Sequence, residues 1–175
     1  MLCELGFQTY ACDVNSAMLE AARNRISQYF NSEDLSRRVV YGDMLNLPFP
    51  DSFFDVIVAT GVLHQARSVS EYKKAIEGLS RVLKLGGKIF LNIFTNKVMD
   101  PTYKPVEGES YTVITKEKLY MTLLPKELFY QLMENSDLQL KEEISEDTKE
   151  ENTGPRVVLR ANFIKKQQGL SSEQS

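Results

Sequence analysis

The residues best placed to do chemistry are carboxylates that end short apolar runs. Val39-Val40-Tyr41 reads as a strand closed by Gly42-Asp43, and residues 54–59 read as the next strand, apolar apart from Asp55. Between them, Pro48 and Pro50 forbid a continuous helix or a central strand. An open parallel sheet binds its ligand just beyond the carboxyl ends of its strands, so Asp43 marks a nucleoside site. Asp13 closes an earlier strand, residues 7–12, in the same way. Each acid also has a plainer reading. Asp13 can cap the helix that follows it, and Asp43 can satisfy its own backbone in a turn. The sole histidine, His64, is a candidate general base because its ordinary pKa lies near neutrality; a packed or polar role at a helix start is the alternative. Asp55 begins a strand instead of ending one and reads as structural.

The elements that must position these groups alternate between two periods. Residues 2–5 form a short apolar piece that ends at Gly6, as the last turn of a helix ends at its glycine. After Asp13, Asn15 or Ser16 caps a helix whose apolar face is Leu19, Ala22, Ile26 and Phe30. The polar cluster at residues 31–34 leads out of it. Beyond Thr60-Gly61 comes a loop with a short helical segment, then a helix over residues 68–83 with Tyr72, Ile76, Leu79 and Leu83 on one side. Gly86-Gly87 breaks that helix, and residues 88–94 read as a strand. The run at 54–59 is apolar enough for burial on both faces. Strands separated by amphipathic helices signal parallel βαβ units and an α/β fold.

Residues 95–124 carry Pro101, Pro105, Gly108 and the tyrosines Tyr103, Tyr111 and Tyr120 without a clear period; a connection of this length is functional or mobile. The tyrosines read as a cover over a pocket in preference to a surface that stacks on a flat substrate. Pro125 suits the first turn of a helix running to Met133. Residues 138–144 and 156–164 are strands, with the acidic stretch 145–155 as a loop between them. Residues 165–175 lack apolar content and are expected to be a disordered tail, which leaves residues 1–164 as one domain.

With 175 residues, 42% of them hydrophobic, the chain can bury the core of one domain. A net charge of −3 argues against a broad nucleic-acid surface, and Lys97, Lys104, Lys116 and Lys118 are too few to suggest one. Two cysteines, Cys3 and Cys12, supply neither a disulfide framework nor a metal cluster, so no metal is expected. There is no apolar run of membrane-spanning length and no signal-peptide layout. These features predict a soluble, cytoplasmic domain.

Three motifs resemble those of the class I S-adenosylmethionine-dependent methyltransferases of the broad small-molecule, type 11/25-like kind. They are Asp13-Val14-Asn15-Ser16-Ala17-Met18-Leu19, Gly42-Asp43 with Leu47-Pro48-Phe49 and Phe54-Asp55, and Arg81-Val82-Leu83-Lys84-Leu85-Gly86-Gly87. The likeness covers residues 2–164. It implies a Rossmann-like α/β sheet with helices on both faces and an antiparallel C-terminal strand pair, and S-adenosyl-L-methionine as cofactor. In that reading Asp13 accepts hydrogen bonds from both ribose hydroxyls and Val14 lies against the adenine. Asp43 meets the adenine amine and the Met44 N–H a ring nitrogen, while Thr60 and Gly61 line the methionine end. Methyl transfer from a sulfonium asks for alignment more than for acid–base groups.

One family feature is missing, the glycine-rich turn after the family's first strand, which lies centrally between its second and fourth. Residues 1–6 resemble the end of the helix after that turn, so the chain is expected to be N-terminally truncated and, alone, to bind the cofactor weakly or not at all. A longer polypeptide, a separate partner completing the sheet, or closure of the two flanking strands on each other would each resolve the gap. The leading expectation is methyl transfer to an unidentified acceptor, a small molecule in preference to nucleic acid. The alternatives are a non-catalytic methyltransferase-like subunit that binds a protein partner, and a nicotinamide-binding Rossmann fragment.

Overall fold

The computed structural model describes residues 2–151 and 154–166, and the chain divides into two compact units, Met1–Phe49 and Pro50–Ser175. The first opens with a 3-10 turn, Leu2–Leu5, stopped at Gly6 with φ +81. Its elements are β1 (Ala11–Asp13), α1 (Ser16–Ile26), α2 (Ser32–Arg38) and β2 (Val39–Tyr41). Asn15 starts α1 by accepting the N–H groups of Ala17 and Met18, which settles the choice of cap. The polar cluster that leads out of α1 starts a further helix, α2: Asn31 accepts the Asp34 N–H, acids fill the first turn and Arg37 and Arg38 the last, complementing the helix dipole. Leu19, Ile26 and Val39 form the buried centre. The strand expected over 7–12 is shorter and later; only Ala11–Asp13 pairs, in parallel with β2.

The second unit holds β3 (Phe54–Thr60), a 3-10 turn at Leu63–Gln65, α3 (Val69–Val82) and β4 (Leu83–Thr95). The three short strands β5 (Lys104–Pro105), β6 (Thr112–Ile114) and β7 (Tyr120–Thr122) follow, then α4 (Lys126–Glu134), β8 (Leu138–Glu151) and β9 (Gly154–Lys165). Its main sheet runs β3-β4-β9-β8, the first pair parallel and the others antiparallel. β4 begins at Leu83, five residues before the expected start. Gly86, at φ +72, and Gly87 absorb a shift of pairing, from Phe54↔Leu83 to Val56↔Lys88, inside the strand instead of breaking it. The expected acidic loop is largely strand as well: β8 continues to Glu151 against β9, its charged residues forming a protected sheet edge. Residues 152–153 of that loop and 167–175 of the expected tail lie outside the described residues, while Lys165 closes β9 and the Lys166 N–H donates to the Asp137 carbonyl.

Within this unit the helices cover one face of the sheet. Ile89, Leu91, Ile93, Leu159, Ala161 and Phe163 are buried there, and Phe129 of α4 meets Tyr72 of α3 and Phe163 edge-on. On the opposite face Val56 is 42% exposed and Val58 56%, so the expectation of burial on both faces of the strand at 54–59 fails. The cause is that the side chains of β3 alternate and the helices of this unit cover only the other face. Residues 95–124 are ordered by β5-β6-β7, an antiparallel sheet packed through Val113, Met121 and Leu123 against Phe94 and Tyr103. Period-based reading misses strands of two or three residues.

Phe129 is fully buried between two aromatic partners, and its replacement by alanine is expected to cost about 3–5 kcal/mol. Urea unfolding measures this, and a loss below about 1 kcal/mol would contradict the assigned packing.

Candidate functional site

Asp13 and Asp43 stand at the same end of one parallel pair. The register Ala11↔Val39, Cys12↔Val40, Asp13↔Tyr41 fixes this, and the Gly42 N–H extends the ladder to the Asp13 carbonyl at 3.2 Å. Each carboxylate is oriented by its own backbone: Asp13 Oδ1 accepts the Asn15 N–H and Asp43 Oδ1 the Leu45 N–H, both at 2.8 Å. The plain turn reading is thus half of the answer. Among the described residues no bond engages either Oδ2, which stays available to a ligand hydroxyl or amine. Around Asp13 the surface is apolar and open, with Val14, Met18 and Tyr41 between 55% and 68% exposed. Such carboxylates beside flat apolar surface fit a nucleoside.

Gly42 holds this end together. A Cβ there would lie 2.6 Å from Pro48 Cδ and 3.0 Å from Cys12 Cβ, so a glycine lets β2 turn into the Asp43 loop. Asp43 and Asn46 close that loop through the Asn46 N–H, and Phe49 meets Tyr10 edge-on at 6.3 Å. Met44 is half-buried.

In the second unit, Thr60 is exposed at the end of β3 and Gly61 follows with φ +71. Asn92 of β4 accepts the Gly61 N–H through Oδ1 at 2.7 Å, and Gln65 Nε2 donates to the Gly61 carbonyl. Asn92 is a positioning residue that sequence reasoning passed over. Its signal was a lone amide in the apolar run Ile89-Phe90-Leu91-Asn92-Ile93-Phe94. Asp55 pairs with Lys84 at 2.8 Å in the open, as a structural acid would.

His64 is 5% exposed and stacks on Phe94 at 4.1 Å, with the Arg156 guanidinium 4.8 Å from the same ring. Its Nδ1 is buried with no partner among the described residues. Burial, then the Arg156 charge, hold its pKa down to about 4. A cleft of about 310 Å³ lies elsewhere, lined by Thr95, Asn96, Lys97, Pro125, Lys126, Glu127 and Glu146. It contains none of the predicted site residues, and its lysines are paired, Lys97 with Glu146 at 3.1 Å and Lys126 with Glu143 at 3.2 Å. Among the described residues no group of His, Cys, Asp or Glu is arranged to hold a metal ion, and no helix is long and apolar enough to cross a membrane.

Comparison with known proteins converges on one group. Residues 1–91 match the methyltransferase domain family. The chain is 32% identical over 104 residues to the ubiquinone/menaquinone biosynthesis C-methyltransferase UbiE of Vibrio campbellii, covering 59% of this chain and 38% of that protein. It therefore spans well under half the length of this curated relative. A methyltransferase structure from Methanosarcina mazei shares the fold with a TM-score of 0.71 at 18% identity, covering 89% of this chain and 80% of the other. The 1,6-didemethyltoxoflavin-N1-methyltransferase of Burkholderia thailandensis, solved with S-adenosylhomocysteine, gives a TM-score of 0.63 at 13% identity, with 94% and 64% covered.

The His64 geometry has a measurable consequence. The folded pKa lies below the ordinary 6.5, so the unfolded chain binds the proton first, and stability present above pH 6.5 drains away as pH falls toward 4. The full loss is about 3 kcal/mol. A proton NMR titration is expected to place the imidazole midpoint near 4, and His64→Gln to remove that part of the acid destabilisation; a midpoint near 6.5 would contradict the buried placement.

Proposed function

Because the chain belongs to the methyltransferase domain family, whose cofactor is S-adenosylmethionine, we propose that it forms the cofactor-holding part of an enzyme that methylates a small-molecule acceptor. The observation that carries this reading is the pair of carboxylates delivered to one end of β1 and β2, each locked through Oδ1 and unengaged at Oδ2. In the proposal Asp13 receives the ribose hydroxyls, with Val14 against the adenine. Asp43 accepts the adenine amine, and the Met44 N–H serves a ring nitrogen. Thr60 and the Gly61 turn, tied down by Asn92 and Gln65, line the methionine end.

The cofactor supplies an electrophilic methyl group whose leaving thioether is neutral, so the chain's own task is to bind and align. His64 fits that division of labour as a neutral packing group, since an imidazole with its pKa near 4 is uncharged at neutral pH and a weak base. Carbon as the accepting atom is the option suggested by the Vibrio relative's name. A second reading, a methyltransferase-like subunit that docks a protein partner, draws support from the edge position of β3 with Val56 and Val58 exposed.

Asp13→Asn separates site from scaffold. Asparagine keeps the Oδ1 acceptor for the Asn15 N–H and replaces Oδ2 by a donor. Its affinity for tritiated S-adenosylmethionine, measured by equilibrium dialysis at high protein concentration, is expected to fall about tenfold to a hundredfold. Asp55→Asn is expected to leave it unchanged. Equal retention by wild type and Asp13→Asn would sink the assignment.

A further inference from the structure

The parallel strands β3 and β4 both leave their sheet at the carboxyl end, the end where open sheets of this kind take ligands. Beyond β3 comes the segment 61–68, and beyond β4 comes the β5-β6-β7 sheet. These are bolted together by buried hydroxyls. Thr122 Oγ1 donates to the Ala66 carbonyl at 2.8 Å and meets Thr112 Oγ1 at 2.9 Å, and both threonines are at most 1% exposed. The small sheet is therefore fixed against the 61–68 segment as a wall, because opening it would break the buried Thr122–Ala66 bond.

At the rim of this wall Arg67 places its guanidinium 5.8 Å from the centroid of the Tyr120 ring, and Tyr120 is 39% exposed. The neighbouring acids are committed to the start of α3. Glu71 Oε2 accepts the Arg67 backbone N–H at 2.8 Å, while Glu109 Oε2 accepts the Val69 N–H at 3.2 Å. Among the described residues no carboxylate lies within ion-pair distance of the Arg67 guanidinium, and its one described contact is the tyrosine ring. A partly exposed tyrosine ring with a forked cation over it, free of any carboxylate partner among the described residues, is a matched pair of contacts for a planar anion. The ring stacks, and the guanidinium gives two parallel hydrogen bonds to a carboxylate.

We propose that Arg67 and Tyr120 form an acceptor subsite that selects planar aromatic molecules bearing a carboxylate or comparable anionic group. This rests on the methyltransferase reading for its biological sense, but binding at the rim is measurable without catalysis or cofactor. Three probes separate the contributions: benzoate is planar and anionic, benzamide planar and neutral, and cyclohexanecarboxylate anionic and not planar. Saturation-transfer NMR on the full chain is expected to give benzoate the strongest response. Arg67→Ala should weaken benzoate roughly tenfold and erase its advantage over benzamide, with Arg67→Lys retaining part of it. Tyr120→Leu, which keeps bulk and strand compatibility, should erase the advantage over cyclohexanecarboxylate. Equal binding of the three probes, or a benzoate preference unmoved by Arg67→Ala, would overturn the proposal. S-adenosylhomocysteine binding on the same samples tests the cofactor reading separately: its failure with the benzoate preference intact would leave the rim standing and tell against a cofactor site at Asp13 and Asp43 in this chain.

Discussion

The functional account depends on a parallel pairing of three residues on each side. β1 and β2 have only three residues each, yet their register decides what reaches the proposed nucleoside end. Parallel strands share a carboxyl end, so the acids that terminate them must emerge together. Had the register slipped by one residue, Asp13 would face the opposite side of the sheet from its present one. Arg23 helps hold the pair, donating from α1 to the Val39 carbonyl at 2.8 Å, and Val39 is wholly buried under Leu19 and Ile26.

The second dependence is on committed hydrogen bonds. Asp13 and Asp43 each give one oxygen to the local backbone, which removes rotamer freedom that a ligand would otherwise have to freeze. The Gly61 turn is fixed the same way by Asn92 and Gln65, and the wall at 104–122 by the Thr122–Ala66 bond. A methyl-transfer protein gains from such rigidity, because geometry supplies the acceleration that acid–base groups supply elsewhere. His64 illustrates the contrast. Its burial against Phe94 removes the titration that would make it useful as a base.

Much of this was legible in the chain because strand-ending acids and proline punctuation are local signals. The strand at Val39–Tyr41 and the helix Val69–Val82 follow directly from apolar spacing and a serine cap. The misses share a physical cause, which is that tertiary pairing overrode local composition. α2 is a polar helix of seven residues held by its cap and charges, with too little apolar surface to announce itself. β8 continues through an acidic stretch because β9 supplies partners for its backbone. The β5-β6-β7 strands exist through pairing and a shared apolar cluster, and each is too short to carry a period. Arg67 and Tyr120 lie 53 positions apart and are brought together by that same folding.

The most direct test of the central claim is a nitrogen-15 amide titration of the full chain with S-adenosylhomocysteine. The account predicts that the backbone amides of Val14, Asn15, Met44 and Leu45 shift together along one binding curve. Shifts that leave all four in place while others move would contradict it.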